Sequence, residues 1–247
     1  MLAELLRSTA AAQHALATAI LDAMGQWSKR PISQLLNRNA RKEIPISHLY
    51  SNDDALFHAT VLGTQLVKIK VGSASLEEDL VRIAHIRDIV GPNIPFRADA
   101  NGAWTPAEAE RAIEKMKPLG VLSIEEPLAN RNIQAMGQLR GQGVRIAADE
   151  SVRSPSDLTQ IIEHQAADDI VIKPMLIGTP MLAVDMLKQA NSAKLGAWVT
   201  TTIDGAVGRM IAVHVAAAAP MKNLLPCGLN TAGWMKSDFG KTPEMVG

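Results

Sequence analysis

The chain has 247 residues, 47% of them hydrophobic, enough to bury a substantial single core. Twenty-five basic residues balance twenty-five acidic ones, which argues against a nucleic-acid or anionic-membrane partner recruited by bulk charge. No apolar run is long enough to span a bilayer and no leader pattern opens the sequence, while the single cysteine, Cys227, excludes an internal disulfide and suits a reducing cytoplasm.

Residues from about 2 to 36 read as helix, with Leu16, Ala19, Ile20, Ala23 and Trp27 in an apolar stripe of helical period. Such a stripe serves a core or an interface equally well. Pro31 and the stretch Asn37–Arg41 break the pattern, and Ile44-Pro45-Ile46-Ser47 is a short strand weakened by its proline. The chain then becomes regular. Val67–Val71 is a strand; Ser75-Leu76-Glu77-Glu78 forms a capping box and opens a helix. Ile94–Asp99 is a strand, and Thr105-Pro106-Ala107-Glu108 caps the next helix, with proline at a position whose missing N–H costs nothing. Val121–Glu125 (strand), Ile133–Arg140 (short helix) and Val144–Asp149 (strand) follow, then a helix from Ser154-Pro155. Ile170–Lys173 is a strand, Thr179-Pro180 opens a helix through Leu187, and Ala197–Thr202 is a strand. An alanine-rich helix from about Gly205 to Ala218 and a short strand at Asn223–Pro226 complete the series.

Eight strands alternating with helices predict a parallel sheet with right-handed crossovers, and at this length an α/β fold of the (β/α)8 barrel type. An open doubly wound sheet is the alternative, although no Gly-x-Gly-x-x-Gly follows any strand.

In Val67–Val71, side chains alternate between faces, so Lys68 and Lys70 share one. Alone, this is a solvated edge strand, since charges are rarely buried. The following strands change the odds. They end in Asp99 (within Arg97-Ala98-Asp99-Ala100-Asn101-Gly102-Ala103-Trp104), in Glu125 (Ile124-Glu125-Glu126-Pro127), in Asp149 (Ala148-Asp149-Glu150-Ser151) and in Lys173 (Lys173-Pro174). In a parallel barrel the C-terminal strand ends form the active site. Three converging carboxylates repel one another unless a cation joins them, and oxygen ligands with water suit Mg²⁺, with Mn²⁺ as the alternative. Lysines beside such an ion can be depressed in pKa and act as bases. The chemistry that needs this set is removal of a proton from the carbon next to a carboxylate, with the charge of the enediolate stabilised by the metal. Rim salt bridges explain any one pair of these residues, but less readily five positions in strand-end register.

These residues resemble the enolase superfamily, in its muconate-lactonising subgroup, from about Ile44 to the C-terminus. The resemblance implies that Asp99, Glu125 and Asp149 are Mg²⁺ ligands and that Lys70 and Lys173 are the acid/base residues. It sets Lys68 and Asn101 beside them as substrate contacts, with Glu126 pointing away from Glu125 by strand alternation. Val171–Met175, Thr200–Gly205 leading into Gly208, and Gly228–Thr231 are most similar to the o-succinylbenzoate synthases. That likeness implies dehydration of a succinyl-hydroxycyclohexadiene carboxylate in menaquinone synthesis, with Thr201, Thr202 and Gly228 contacting the succinyl tail. The same residues would serve an N-acylamino acid racemase or a dipeptide epimerase.

The superfamily's N-terminal α+β capping domain, whose loops close over substrate, is largely missing from this sequence, and Ala15–Leu36 resembles just its last helices. The expected organisation is a helical remnant over residues 1–42 and a catalytic barrel over 43–247. A barrel without a cap could also bind metal with little catalysis. A small carboxylate is the expected partner, and homo-oligomerisation is left open.

Overall fold

Capped helices and short β-branched strands alternate through the computed structural model, which describes residues 9–50, 64–222 and 224–240. Its helices are α1 (Ala10–Ser28), α2 (Ile32–Leu36), α3 (Leu76–Val90), α4 (Pro106–Met116), α5 (Ile133–Gln138), α6 (Pro155–Glu163), α7 (Pro174–Ile177), α8 (Pro180–Ser192) and α9 (Ala206–Ala218). The strands are β1 (His48–Leu49), β2 (Val67–Lys70), β3 (Phe96–Asp99), β4 (Val121–Glu125), β5 (Arg145–Ala148), β6 (Asp169–Ile172) and β7 (Gly196–Val199). The chain divides into two compact units, residues 46–170 and residues 9–45 with 171–240, and the division falls inside β6.

In the first of these units β1 to β5 and the start of β6 pair in parallel, each with the next in sequence. Parallel strands need a crossover, and α3, α4 and α5 supply it between β2 and β5. Both capping boxes form: Ser75 with Glu78 opens α3, and Thr105 with Glu108 opens α4, which has Pro106 in its first turn. Each box satisfies backbone N–H groups that have no helical partner. Ile83 and Ile86 of α3 and Ala109, Ile113 and Met116 of α4 are buried, as are Val67, Ile69, Phe96, Ile124 and Ile146 of the strands. The register sets Lys70 opposite Asp99 and Asp99 opposite Glu125. In-register neighbours share a face, so these charged groups stand on one side of the sheet.

In the second unit α1 ends where Lys29 enters the left-handed region (φ 53°), and its cap N–H bonds to the carbonyls of Gln26 and Gly25. Pro31 then precedes the single-turn-scale helix α2. The continuous helix read over residues 2–36 is therefore two helices, and its first residues lie outside the described ones. The proline-weakened strand near Ile44 is displaced to His48–Leu49, where no proline removes a ladder donor. The last strand also moves: pairing falls on Cys227 and Gly228, since Cys227 N donates to Pro45 O (2.8 Å) and Gly228 bridges Thr200. Asn223 lies outside the described residues. The short helix α7 directly after β6 is unanticipated; proline at its start and Gly178 at its end confine it to about one turn. Among the described residues no helix is long and apolar enough to cross a membrane.

Candidate metal centre

The strands of the unit spanning 46–170 deliver their charged ends to one place. Asp99 closes β3, Glu125 closes β4, and Asp149 follows β5 by one residue. All three side chains are buried, and one oxygen from each lies within 4.8 Å of the others. Lys68 Nζ reaches Glu125 Oε2 at 2.5 Å and Asp99 Oδ2 at 2.7 Å. Lys70 Nζ donates to the same Asp99 oxygen at 2.7 Å and to Asn101 Oδ1 at 2.6 Å. The two lysines differ in access, with side chains 15% and 51% exposed.

Charge explains the protonation pattern. Burial alone would lower Lys68, but the carboxylates of Glu125 and Asp99 outweigh it and hold the ammonium well above its ordinary range. Burial would raise Asp99, and Lys68 and Lys70 reverse that, keeping it ionised far below the usual carboxylate range. Glu125 goes the other way. Its burial, with Asp99 and Asp149 as like-charged neighbours, pushes it up to about 7 against the pull of Lys68 and Arg97. Burial first, and like-charged neighbours after it, thus leave one carboxyl of the cluster holding its proton toward neutrality.

Those features fit a hard divalent cation. Oxygen donors from three strands converge, and Glu125 Oε1 has no hydrogen-bond partner, with Arg97 Nε 3.7 Å away. A cation there would use that oxygen and remove the like-charge penalty that raises Glu125.

Several supporting groups were not assigned roles from sequence. Arg97 lies two residues before Asp99, on the same strand face, and is buried beside Glu125. Arg153 sits one turn beyond Asp149, with Nη1 3.6 Å from Oδ1, and also donates to the Asp149 carbonyl. Glu150 Oε1 accepts from Asn101 Nδ2 at 3.1 Å, which orients the amide so that its oxygen faces Lys70. Asn101 itself has a left-handed backbone (φ 45°). Glu126 points away from the cluster, as alternation predicts: its Oε2 accepts from the backbone N–H groups of Asp149 (2.8 Å) and Ser151 (3.1 Å), and its Oε1 accepts from Ser151 Oγ at 2.5 Å. It thereby fastens the loop that carries Asp149.

The structure thus brings Lys68, Lys70, Asp99, Asn101, Glu125 and Asp149 together within one unit. The remaining candidates belong to the other unit. Lys173 is half-buried at the N-terminus of α7. Thr201 Oγ1 and Thr231 Oγ1 lie 2.9 Å apart, and Thr202 Oγ1 donates to Asp204 Oδ1, with Met175 Sδ 3.7 Å away. Gly228 packs on Thr200, whose Oγ1 donates to its carbonyl at 2.9 Å; a Cβ there would meet that hydroxyl at 2.6 Å. Thr202 and Gly228 therefore have protein partners of their own in the places where the sequence suggested substrate contacts.

The chain is 32% identical over 213 residues to an N-succinyl-L-Arg/Lys racemase of Bacillus cereus, covering 83% of this chain and 58% of that protein. It is 28% identical over 211 residues to muconate cycloisomerase 1 of Acinetobacter baylyi, covering 82% and 57%. Among solved structures, a dipeptide epimerase from Enterococcus faecalis superposes with a TM-score of 0.84 at 28% identity, over 94% of this chain and 68% of that one. The chain spans just under three fifths of the length of the first two of these relatives. Residues 55–244 match the family described as enolase C-terminal domain-like, and the chain belongs to that family, within the enolase superfamily.

Proposed function

We propose that this chain removes a proton from the carbon next to a substrate carboxylate, using Mg²⁺ held by Asp99, Glu125 and Asp149. A divalent cation at such oxygens supplies a Lewis acid for the substrate carboxylate. Lys70 is the base. The observation that carries the reading is one half-exposed lysine, Lys70, beside three buried carboxylates that converge within 4.8 Å. Its Nζ is aimed by Asp99 and Asn101 yet remains open to an incoming molecule. Lys68, nearly enclosed between Asp99 and Glu125, is a fixed cation that offsets negative charge on the substrate. The resemblance assigns the return of a proton on the other side of the carbon to Lys173.

Return from the other side inverts the centre, and relatives named N-succinyl-L-Arg/Lys racemase and hydrophobic dipeptide epimerase favour that outcome. A second reading is dehydration to o-succinylbenzoate. It is favoured by the likeness of Thr200–Gly205 and Gly228–Thr231 to synthases of that type. Incubation in deuterated water with Mg²⁺ separates the two. Exchange and inversion at the α-carbon of N-succinyl amino acids supports racemisation; loss of water from the cyclohexadiene carboxylate without such exchange supports the lyase. Neither reaction, in a chain that binds Mg²⁺, would reduce the protein to a metal-binding domain and overturn the proposal.

A further inference from the structure

Lys70 is anchored from behind. A lysine side chain is long and flexible, so where its Nζ can go depends on how firmly its own backbone is held. On the β3 side, Val71 N donates to Asp99 O at 2.9 Å. On the β1 side, the last ladder bond among the described residues runs from Tyr50 N to Lys68 O at 2.9 Å, short of Lys70. The chain then leaves the sheet through Gly72, at φ 83°.

Helix α3 holds the backbone at that point. Asp79, in its first turn, is fully buried, and its Oδ2 accepts from Gly72 N at 2.7 Å. Arg82, one turn further on, donates from a single nitrogen, Nη2, to Asp79 Oδ1 at 2.5 Å and to the carbonyl of Lys70. The two side chains thus grip the peptide groups on either side of Val71.

Helix electrostatics alone do not call for this arrangement. Glu77 and Glu78 share the first turn of α3, where negative charge is favoured, and both are exposed. Asp79 is drawn inside instead, and burial pushes its carboxyl above the ordinary range against the pull of the Gly72 N–H and Arg82. A charge stays buried where a specific contact compensates it, and here that contact is the turn.

The turn also packs on the loop that aims Lys70. A Cβ at Gly72 would stand 2.6 Å from Ala103 Cβ and 3.3 Å from Trp104 Nε1. The same loop carries Asn101, whose Oδ1 accepts from Lys70 Nζ at 2.6 Å. A shift of the turn would therefore move the lysine's backbone and disturb the amide at its tip.

We propose that Asp79 and Arg82 are positioning residues for Lys70, fixing the β2–α3 turn so that Nζ is presented in one place. The inference rests on Lys70 being the base. Both residues act through backbone groups, so they should set the rate of proton removal rather than the affinity for Mg²⁺.

The rate of proton removal in the full chain with Mg²⁺ tests it, read as α-proton exchange or as dehydration on the substrate that the parent accepts. Arg82→Ala should lower the maximal rate about 10-fold to 100-fold, as a slightly misplaced catalytic group does, with KM and Mg²⁺ affinity within about 2-fold of the parent's. Arg82→Lys should recover part of the rate, since one Nζ can stand in for the one Nη2. Asp79→Asn keeps an acceptor for Gly72 but turns amide N–H groups toward Arg82, and should be slowed as Arg82→Ala is. Arg82 is partly exposed, so Arg82→Ala carries the test even where Asp79→Asn fails to fold. A parent-like rate in Arg82→Ala, beside a slow Lys70→Ala in the same assay, overturns this inference alone. A loss that falls on KM or on Mg²⁺ affinity instead of the maximal rate also overturns it. A parent chain without turnover, or a parent-like rate in Lys70→Ala, overturns the assignment of the base and this inference with it.

Discussion

The strand ends between Lys68 and Arg153 and the outer face of α1 both reverse the usual sorting of residues, one by burying charge and the other by exposing apolar side chains. At the strand ends the reversal is compensated inside one unit. Asp99, Glu125 and Asp149 are buried, and Lys68, Lys70, Arg97 and Arg153 stand against them. On α1, Trp27 is almost fully exposed and Ile20 about half exposed among the described residues. The difference separates two kinds of surface. Buried charge survives when its partners are built into the fold, and its remaining imbalance, the raised Glu125, points to a small cation. The apolar face of α1 has no comparable compensation among the described residues.

The largest effect should come from breaking the compensation. Asp99→Ala removes the carboxylate shared by Lys68 and Lys70 and leaves Lys68 enclosed beside Glu125 alone. Stripping one partner from a buried ion pair costs about 3 kcal/mol. Denaturant unfolding should register that loss, and Mg²⁺ binding should fall with it.

Lys70→Ala tests access rather than burial. The side chain is half exposed, so stability should hardly change, while α-proton exchange should drop about 10²-fold to 10⁴-fold, the usual contribution of a positioned base. Exchange at the parent rate would remove Lys70 from the mechanism.

Acidity tests the charge imbalance. Glu125 holds its proton up to about 7 in the metal-free fold, against an ordinary value of 4.5. Between those values the folded chain binds more protons than the unfolded one, so without metal its stability should decline as pH rises through that window. Mg²⁺ competes for the same carboxylate, so its affinity should weaken as pH falls below about 7 and binding should release a proton. Calorimetry in buffers of different ionisation enthalpy measures both.

Ser151→Ala is milder. Glu126 loses the hydroxyl bond but keeps the N–H groups of Asp149 and Ser151. A stability loss of about 1 kcal/mol is expected, with a drop in metal affinity of about 10-fold from the loosened Asp149 loop.

Much of the strand-end centre was legible because period-2 alternation is rigid. Once Lys68 and Lys70 share a face, parallel register carries Asp99 and Glu125 onto it, and each capping box marked where a helix would begin. What escaped was what alternation does not encode. Arg97 obeys the same period but carries no role until its distance to Glu125 is known. The Glu126 clamp depends on a backbone turn through φ 35°, and α7 on a local proline–glycine pair. The α1 stripe was visible as a pattern, but periodicity gives a helix an apolar side without saying which way that side faces.

Three strand-end carboxylates, Asp99, Glu125 and Asp149, converge as one candidate divalent-cation centre. Mg²⁺ titration calorimetry on the parent chain and on Asp149→Asn tests it most directly. The parent chain should bind one Mg²⁺, held at least about 10-fold more weakly when a ligand charge is removed. Equal Mg²⁺ affinity in the two proteins, or no saturable binding in the parent, would contradict it.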